Sequence, residues 1–166
     1  MLRSVSLAAA LAVATLFSAG AHADSRAAPD PSPAVQAAIA RGDALLEQEK
    51  HTAARKAYRN AAAISREEGD LPETPLRRLA NAHYFQKDYR QAAKVLDTLA
   101  REAAAYGDLR VEAEAIVDAA WLYGKVGDRQ KVSQRLARVE RLLESPYLPE
   151  DVKQAIQQHR LPASEA

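Results

Sequence analysis

Residues 79–92 read LANAHYFQKDYRQA, and this stretch decides the fold of the chain. Helical spacing joins Ala80 to His83 before the central Lys-Asp pair, and it joins Ala92 to Leu96 after that pair. Small residues at such positions let two helices approach closely, while larger ones fill the space between neighbouring helices. The stretch therefore predicts the end of one helix, a short turn and the start of a second helix that packs on the first.

The same pattern recurs on both sides of this stretch at a near-constant interval. The positions that correspond to Ala92 are Ala54 and Val132, which lie 38 and 40 residues away. An interval of this size with helical spacing inside each unit is typical of an α-solenoid, in which no unit can bury its apolar face alone. The sequence thus indicates three stacked helix pairs, an arrangement that usually binds other proteins or peptides.

Start and stop signals divide the repeat region into individual helices. The pairs Gly69-Asp70, Gly107-Asp108 and Gly127-Asp128 each end one helix, because Gly suits the left-handed position past a helix end. Ser145-Pro146 then breaks the chain before one further helix. No segment shows the two-residue alternation of a strand, so the predicted class is all-α. The predicted helices span residues 34–49, 52–68, 74–87, 89–106, 109–126, 128–144 and 150–159.

The seventh helix is predicted to cap the array. Val152, Ala155 and Ile156 share one face because they lie three and four residues apart. The end of a solenoid otherwise leaves apolar surface exposed, so a covering helix is expected there. The alternative is a tail helix that binds a partner.

The stretch 79–92 resembles the central part of a tetratricopeptide repeat (TPR). That family places a Leu and a small residue on its first helix, then a Gly/Lys-Asp-Tyr turn, then an Ala on its second helix. The other two units resemble it at Gly42 and Tyr58 and at Ala120 and Tyr123. The resemblance implies a right-handed α-solenoid of three TPR-like helix pairs plus a C-terminal capping helix. This repeat domain would span residues 34–160, followed by a tail at 161–166.

The first 23 residues have the three parts of a secretory signal. Arg3 gives a positive start, residues 7–17 are apolar, and Ala21-His22-Ala23 is a small-x-small cleavage signature. A helix needs about 20 apolar residues to span a bilayer, and this apolar run is shorter. We therefore expect cleavage after Ala23, a flexible mature N-terminus over 24–33, a periplasmic or secreted location and no integral membrane segment once the signal is removed. The alternative is an amphipathic first helix.

Composition narrows the classes of function. Without Arg3, 22 basic residues balance 22 acidic ones, which gives no general attraction to nucleic acid. The chain has no cysteine, so it contains no thiol nucleophile and folds by packing alone. Absence of disulfides from an exported chain favours a bacterial periplasm over an extracellular setting.

Residues that could carry catalysis or bind a metal are scattered. His51, His83 and His159 lack metal-ligand spacing, and His83 occupies a core-facing repeat position. The serines lack a nucleophile-elbow setting, and Glu112 with Glu114 indicates a solvated helix face. We expect a protein without enzymatic activity, cofactor or metal site.

The resemblance to TPR arrays implies that the first helix of each pair lines a concave groove. Helix one would contribute Ile39, Asp43, Leu46 and Glu47. Arg77 with Asn81 resembles the Lys/Asn pair with which some family members grip a peptide carboxylate, although Asp118 stands where the next repeat would supply Asn. The predicted groove residues of helices three and five are Arg77, Asn81, Tyr84, Phe85, Val117, Trp121 and Lys125.

The sequence leaves two roles open for Trp121 and more than one function open for the chain. Trp121 either anchors a partner or packs between helices. The leading expectation for function is an exported scaffold or adaptor that holds a protein or peptide in the groove. The alternatives are a protein that binds a small ligand or cell-wall fragment in a cleft around Tyr84, Phe85 and Trp121, and an accessory subunit of an envelope enzyme complex.

Overall fold

The computed structural model describes residues 30–158, and this part of the chain is all-helical, without strands, as predicted. The helix bounds differ from the predicted ones by at most three residues, the largest difference being the earlier end of the third helix. The signal segment 1–23, most of the predicted mature N-terminus and the tail 161–166 lie outside the described residues. The helices are α1 (Pro33–Glu47), α2 (His51–Glu67), α3 (Glu73–Tyr84), α4 (Tyr89–Tyr106), α5 (Leu109–Lys125), α6 (Arg129–Leu143) and α7 (Glu150–Gln158).

The turns between the first six helices share one backbone device. Each contains a residue in the left-handed conformation, and in three of them it is a glycine: Gly69, Gly107 and Gly127, with φ of 83°, 75° and 69°. After two of these glycines the next residue caps the following helix: Asp108 accepts a hydrogen bond from the Val111 N–H at 2.9 Å, and Asp128 accepts one from the Lys131 N–H at 3.2 Å. The three predicted pairs thus each end a helix, and Gly107-Asp108 and Gly127-Asp128 also begin the next one, whereas α3 starts after Pro72 without a side-chain cap.

In the two remaining turns the left-handed residue is not a glycine, so its backbone conformation is strained. Glu49 and Lys87 have φ of 58° and 59°, where the Cβ of an L-residue crowds the following carbonyl. We expect Lys87→Gly to raise the free energy of unfolding by about 0.5–1 kcal/mol. Urea denaturation followed by circular dichroism measures it. Lys87→Ala is the control, because it removes the same side chain without relieving φ; an equal gain in both variants would contradict the strain argument.

Each of the helices α1 to α5 packs against the next one along the chain, and the centre of this packing is α5. This helix contacts α4 on one side and α6 on the other, and it also touches α7. Its buried residues cover most of the circumference of the helix and include Val111, Ile116 and Leu122. α5 is therefore the most deeply packed helix of the described chain, and Trp121 and Lys125 mark the one face that stays open to solvent.

The contact between α1 and α2 depends on a glycine. Tyr58 is fully buried, and its hydroxyl donates a hydrogen bond to Asp43 at 2.7 Å. A Cβ built on Gly42 would lie 2.7 Å from Tyr58 Cδ1, and nearer still to Cε1. The small residue at this repeat position therefore makes room for the tyrosine ring of the paired helix.

The cap and the termini of the described range follow the sequence pattern. Val152 and Ile156 of α7 are buried in the common core, as the predicted shared face requires. At the other end, the Ser32 hydroxyl accepts a hydrogen bond from the Val35 N–H and so caps α1. None of the helices between residues 30 and 158 is both long enough and apolar enough to cross a bilayer.

Candidate functional site

The aromatic residues predicted for the groove lie together where the end of α3 approaches α5. The ring centroid of Tyr84 is 6.0 Å from that of Trp121 and 5.8 Å from that of Phe85. Tyr89, the first residue of α4, adds a fourth ring 5.4 Å from Tyr84. We call these four residues the aromatic patch. Tyr84 is half-buried at its centre, whereas Phe85 is 66% exposed and Trp121 is 38% exposed.

Trp121 combines the two roles that the sequence left open. Its ring packs against Tyr84 of the neighbouring helix, yet more than a third of its surface remains in contact with solvent. Lys125, one turn further along α5, places its Nζ 4.5 Å from the centroid of the Trp121 ring, a cation–π distance. The ring is therefore held in place on two sides and still presents an apolar surface outward.

Arg77 lies in a group of charged side chains between α3 and α5. Its Nε donates to Glu73 at 2.9 Å, its Nη2 donates to Glu114 at 2.8 Å, and its Nη1 lies 3.4 Å from Asp118. Arg110 adds a second cation, with Nη1 3.5 Å from Glu114. We call these five residues the carboxylate cluster. The guanidinium of Arg77 is thus engaged within the protein, where it ties the two helices together.

The electrostatics of the carboxylate cluster follow from its partial burial. Burial lowers the pKa of Arg77, but the carboxylates around it outweigh that effect, and the pKa ends above the usual value. Burial raises the pKa of Glu114, an effect that Arg77 and Arg110 oppose. Three carboxylates face two guanidinium groups, so removal of one guanidinium would leave the buried negative charge largely uncompensated.

The other predicted groove residues do not all reach the surface. Asn81 and Lys125 are exposed, whereas Val117 is 7% exposed and belongs to the core. Ile39 is buried as well. Val117 lies one turn before Trp121, yet it packs in the common core, and the face of α5 that stays open to solvent is marked by Trp121 and Lys125.

The expectation that Glu112 and Glu114 lie on a solvated helix face is wrong. Glu112 is 3% exposed, and its Oε1 accepts hydrogen bonds from Arg138 Nη2 at 2.6 Å and Nε at 2.8 Å. Glu114 is largely buried in the carboxylate cluster. The signal in the sequence is that Glu112 lies on the same helical face as Ile116 and Ala119, since a carboxylate on a buried face needs a cation from a neighbouring helix.

A cleft of about 800 Å³ lies between α4 and α6, and none of its lining residues belongs to the aromatic patch or to the carboxylate cluster. Between residues 30 and 158, no three His, Asp or Glu side chains are grouped so that they could hold a metal ion. No protein-family model, curated protein sequence or solved structure matches this chain.

Proposed function

We propose that this chain is an exported scaffold or adaptor that holds a segment of a partner protein against the aromatic patch. The observation that carries the proposal is that two large and exposed rings, Phe85 just past the end of α3 and Trp121 on α5, both contact the half-buried Tyr84. Aromatic side chains offer much apolar area for little loss of rotamer freedom, and they dominate the binding energy of protein interfaces. Large apolar side chains that are exposed together on one surface mark a site of interaction with another molecule.

The links between alternate helices support a TPR-like α-solenoid as the framework of this surface. In such an array each helix touches the next helix and also the next but one, because successive pairs stack. The right-handed sense is carried over from the resemblance to TPR units. Ion pairs between alternate helices join Asp43 to Arg78 (3.8 Å), Arg66 to Glu102 (2.8 Å), Arg77 to Glu114 (2.8 Å) and Asp97 to Arg135 (2.7 Å).

The surroundings of the aromatic patch indicate the chemistry of the partner. Asn81, one turn before the patch on α3, is exposed and provides an amide that can hydrogen-bond to the backbone of a bound segment. The carboxylate cluster on the same two helices has an excess of negative charge. A segment with one or two large apolar side chains, flanked by a basic residue, would match both features.

The open form of the aromatic patch favours a protein segment over a small ligand. Small molecules are usually held in concave sites that cover most of their surface. Phe85 instead projects 66% of its surface into solvent, and no residue of the aromatic patch lines the cleft between α4 and α6. We therefore expect this surface to bind a protein segment rather than to catalyse a reaction. Export itself depends on residues 1–23, which lie outside the described range.

We expect the double variant Phe85→Ala/Trp121→Ala to weaken partner binding about thirtyfold, which corresponds to about 2 kcal/mol. A photo-cross-linking amino acid is first placed at position 85 of the protein in cells that export it, so that it traps the partner. Calorimetry with the purified partner then measures the affinity. Tyr147 provides the matched control, because it is an aromatic residue that is 84% exposed outside the patch.

The control variant Tyr147→Ala should bind normally, and a cross-linker at position 147 should trap no specific protein. Circular dichroism of the double variant establishes that its helix content is retained, so that a loss of binding reports on the surface. Normal affinity of the double variant, or specific adducts at position 147 alone, would place the binding surface elsewhere.

A further inference from the structure

The cleft between α4 and α6 is a second surface with a different chemical character. Its volume is about 800 Å³, and α5 closes it from below. Ala100 of α4 and Ile116 of α5 line it, and each is 6% exposed. The cleft therefore has an apolar floor.

The walls of this cleft carry five cations and two carboxylates. We call it the basic cleft. The carboxylates are Asp97 on α4 and Glu112 on α5. The cations are Lys94 and Arg101 on α4, and Arg135, Arg138 and Arg141 on α6.

Both carboxylates of the basic cleft form ion pairs with arginines of the cleft itself. Asp97 accepts hydrogen bonds from Arg135 Nη2 at 2.7 Å and Nε at 3.0 Å, and from the Tyr123 hydroxyl at 2.8 Å. Glu112 accepts the paired hydrogen bonds of Arg138. Two of the five cations are thus balanced, and these pairs fix the positions of α4, α5 and α6 around the cleft.

The other three cations have no such balance. Lys94, Arg101 and Arg141 form no ion pair with any carboxylate in the described range 30–158. The nitrogen atoms of Arg101 reach only the Asp97 carbonyl and the Thr98 hydroxyl of its own helix. The formal charge of the whole chain is only +1, so a local excess of three positive charges is a distinct feature of this surface.

We propose that the basic cleft binds an acidic segment of a partner protein. Carboxylates of that segment would pair with Lys94, Arg101 and Arg141, and its apolar side chains would cover Ala100 and Ile116. Nucleic acid or an anionic membrane would use the same positive charges, but neither offers small apolar side chains to the floor of the cleft. This site is independent of the aromatic patch, which lies beside an excess of negative charge.

Fluorescence anisotropy of the protein with a labelled peptide of repeated Glu-Glu-Leu units tests this proposal. We expect saturable binding that weakens as salt is raised, because the charges on the walls are reached by counterions. The variant Lys94→Glu/Arg101→Glu/Arg141→Glu should weaken binding at least about tenfold. The control Arg41→Glu/Lys56→Glu/Arg129→Glu changes the net charge by the same amount at exposed residues outside the cleft, and it should bind as the parent protein does.

Four results would overturn the proposal. The first is no saturable binding of the acidic peptide, and the second is an equal loss of affinity in the cleft variant and the control variant. The third is equal binding of a peptide with Gln in place of Glu, since charge would then play no part. The fourth is tighter binding of single-stranded DNA or of phosphatidylglycerol vesicles through Lys94, Arg101 and Arg141, which would assign the cleft to another class of ligand.

Discussion

Replacement of Ala92 by Trp is expected to lower the free energy of unfolding by about 3 kcal/mol, because the new ring has no space. Ala92 lies in the first turn of α4, is fully buried, and is packed within the common core. A Trp side chain there would force α4 away from its neighbours or twist the surrounding side chains from their preferred rotamers.

Urea denaturation followed by circular dichroism measures this effect. Gln91→Trp is the matched control, since Gln91 is exposed on the same turn of α4 and should tolerate the larger side chain with little change. An unchanged stability of Ala92→Trp would mean that the small repeat positions do not mark close helix contacts, and the register of the repeats would be wrong.

The helices could be predicted because their signals are local. A Gly-Asp pair ends a helix through the backbone conformation of one residue and caps the next helix through one side chain, as Gly107 and Asp108 do. Helical periodicity likewise locates the small buried residues, and Ala54, Ala92 and Ala120 are all buried. These features require information from only a few neighbouring residues.

The partners of charged side chains could not be predicted in the same way. Periodicity assigns a residue to a face of its own helix, but it does not say which helix covers that face. Arg77 of α3 meets Glu114 of α5, and Glu112 meets Arg138 of α6, at separations of 37 and 26 residues along the chain. The same limit applies to Val117, which lies one turn before the exposed Trp121 on α5 but is buried in the common core.

The aromatic patch could be predicted from the sequence in part. The repeat register brought Tyr84, Phe85 and Trp121 to the same surface, and the distances between their rings agree with that expectation. The fourth ring, Tyr89, joins the patch because the turn from α3 to α4 is short and brings this ring against Tyr84. The role of the patch in binding stays a prediction that the cross-linking experiment tests.

The variant Arg77→Met is expected to lower the free energy of unfolding by about 3 kcal/mol at neutral pH. Removal of one partner from a buried ion pair leaves a charge without compensation, which costs about 3–5 kcal/mol. The lower end applies here because the side chain of Arg77 keeps 28% of its exposure. Met retains most of the apolar stem, so the loss reports on the guanidinium and its bonds to Glu73, Glu114 and Asp118.

The loss should depend on pH, and its sign follows from the raised pKa of Glu114. A raised pKa in the folded state gives a stabilising contribution that is present below the pKa of the unfolded chain, about 4.3 for Glu, and that is lost as pH rises through the folded value. Without Arg77 the folded pKa of Glu114 rises further, so ionised carboxylates cost more stability at neutral pH. Protonation removes that cost.

The destabilisation by Arg77→Met should therefore be largest near neutral pH and should shrink as the pH falls to about 4. Urea denaturation of the parent protein and of the variant at several pH values measures the loss of stability at neutral pH and its decrease in acid. Arg90→Met is the control, because Arg90 is exposed on α4 and forms no ion pair within the described range, so its effect should be small at every pH. A loss for Arg77→Met that stays constant with pH would mean that its packing, rather than the balance of charge between α3 and α5, holds these helices together.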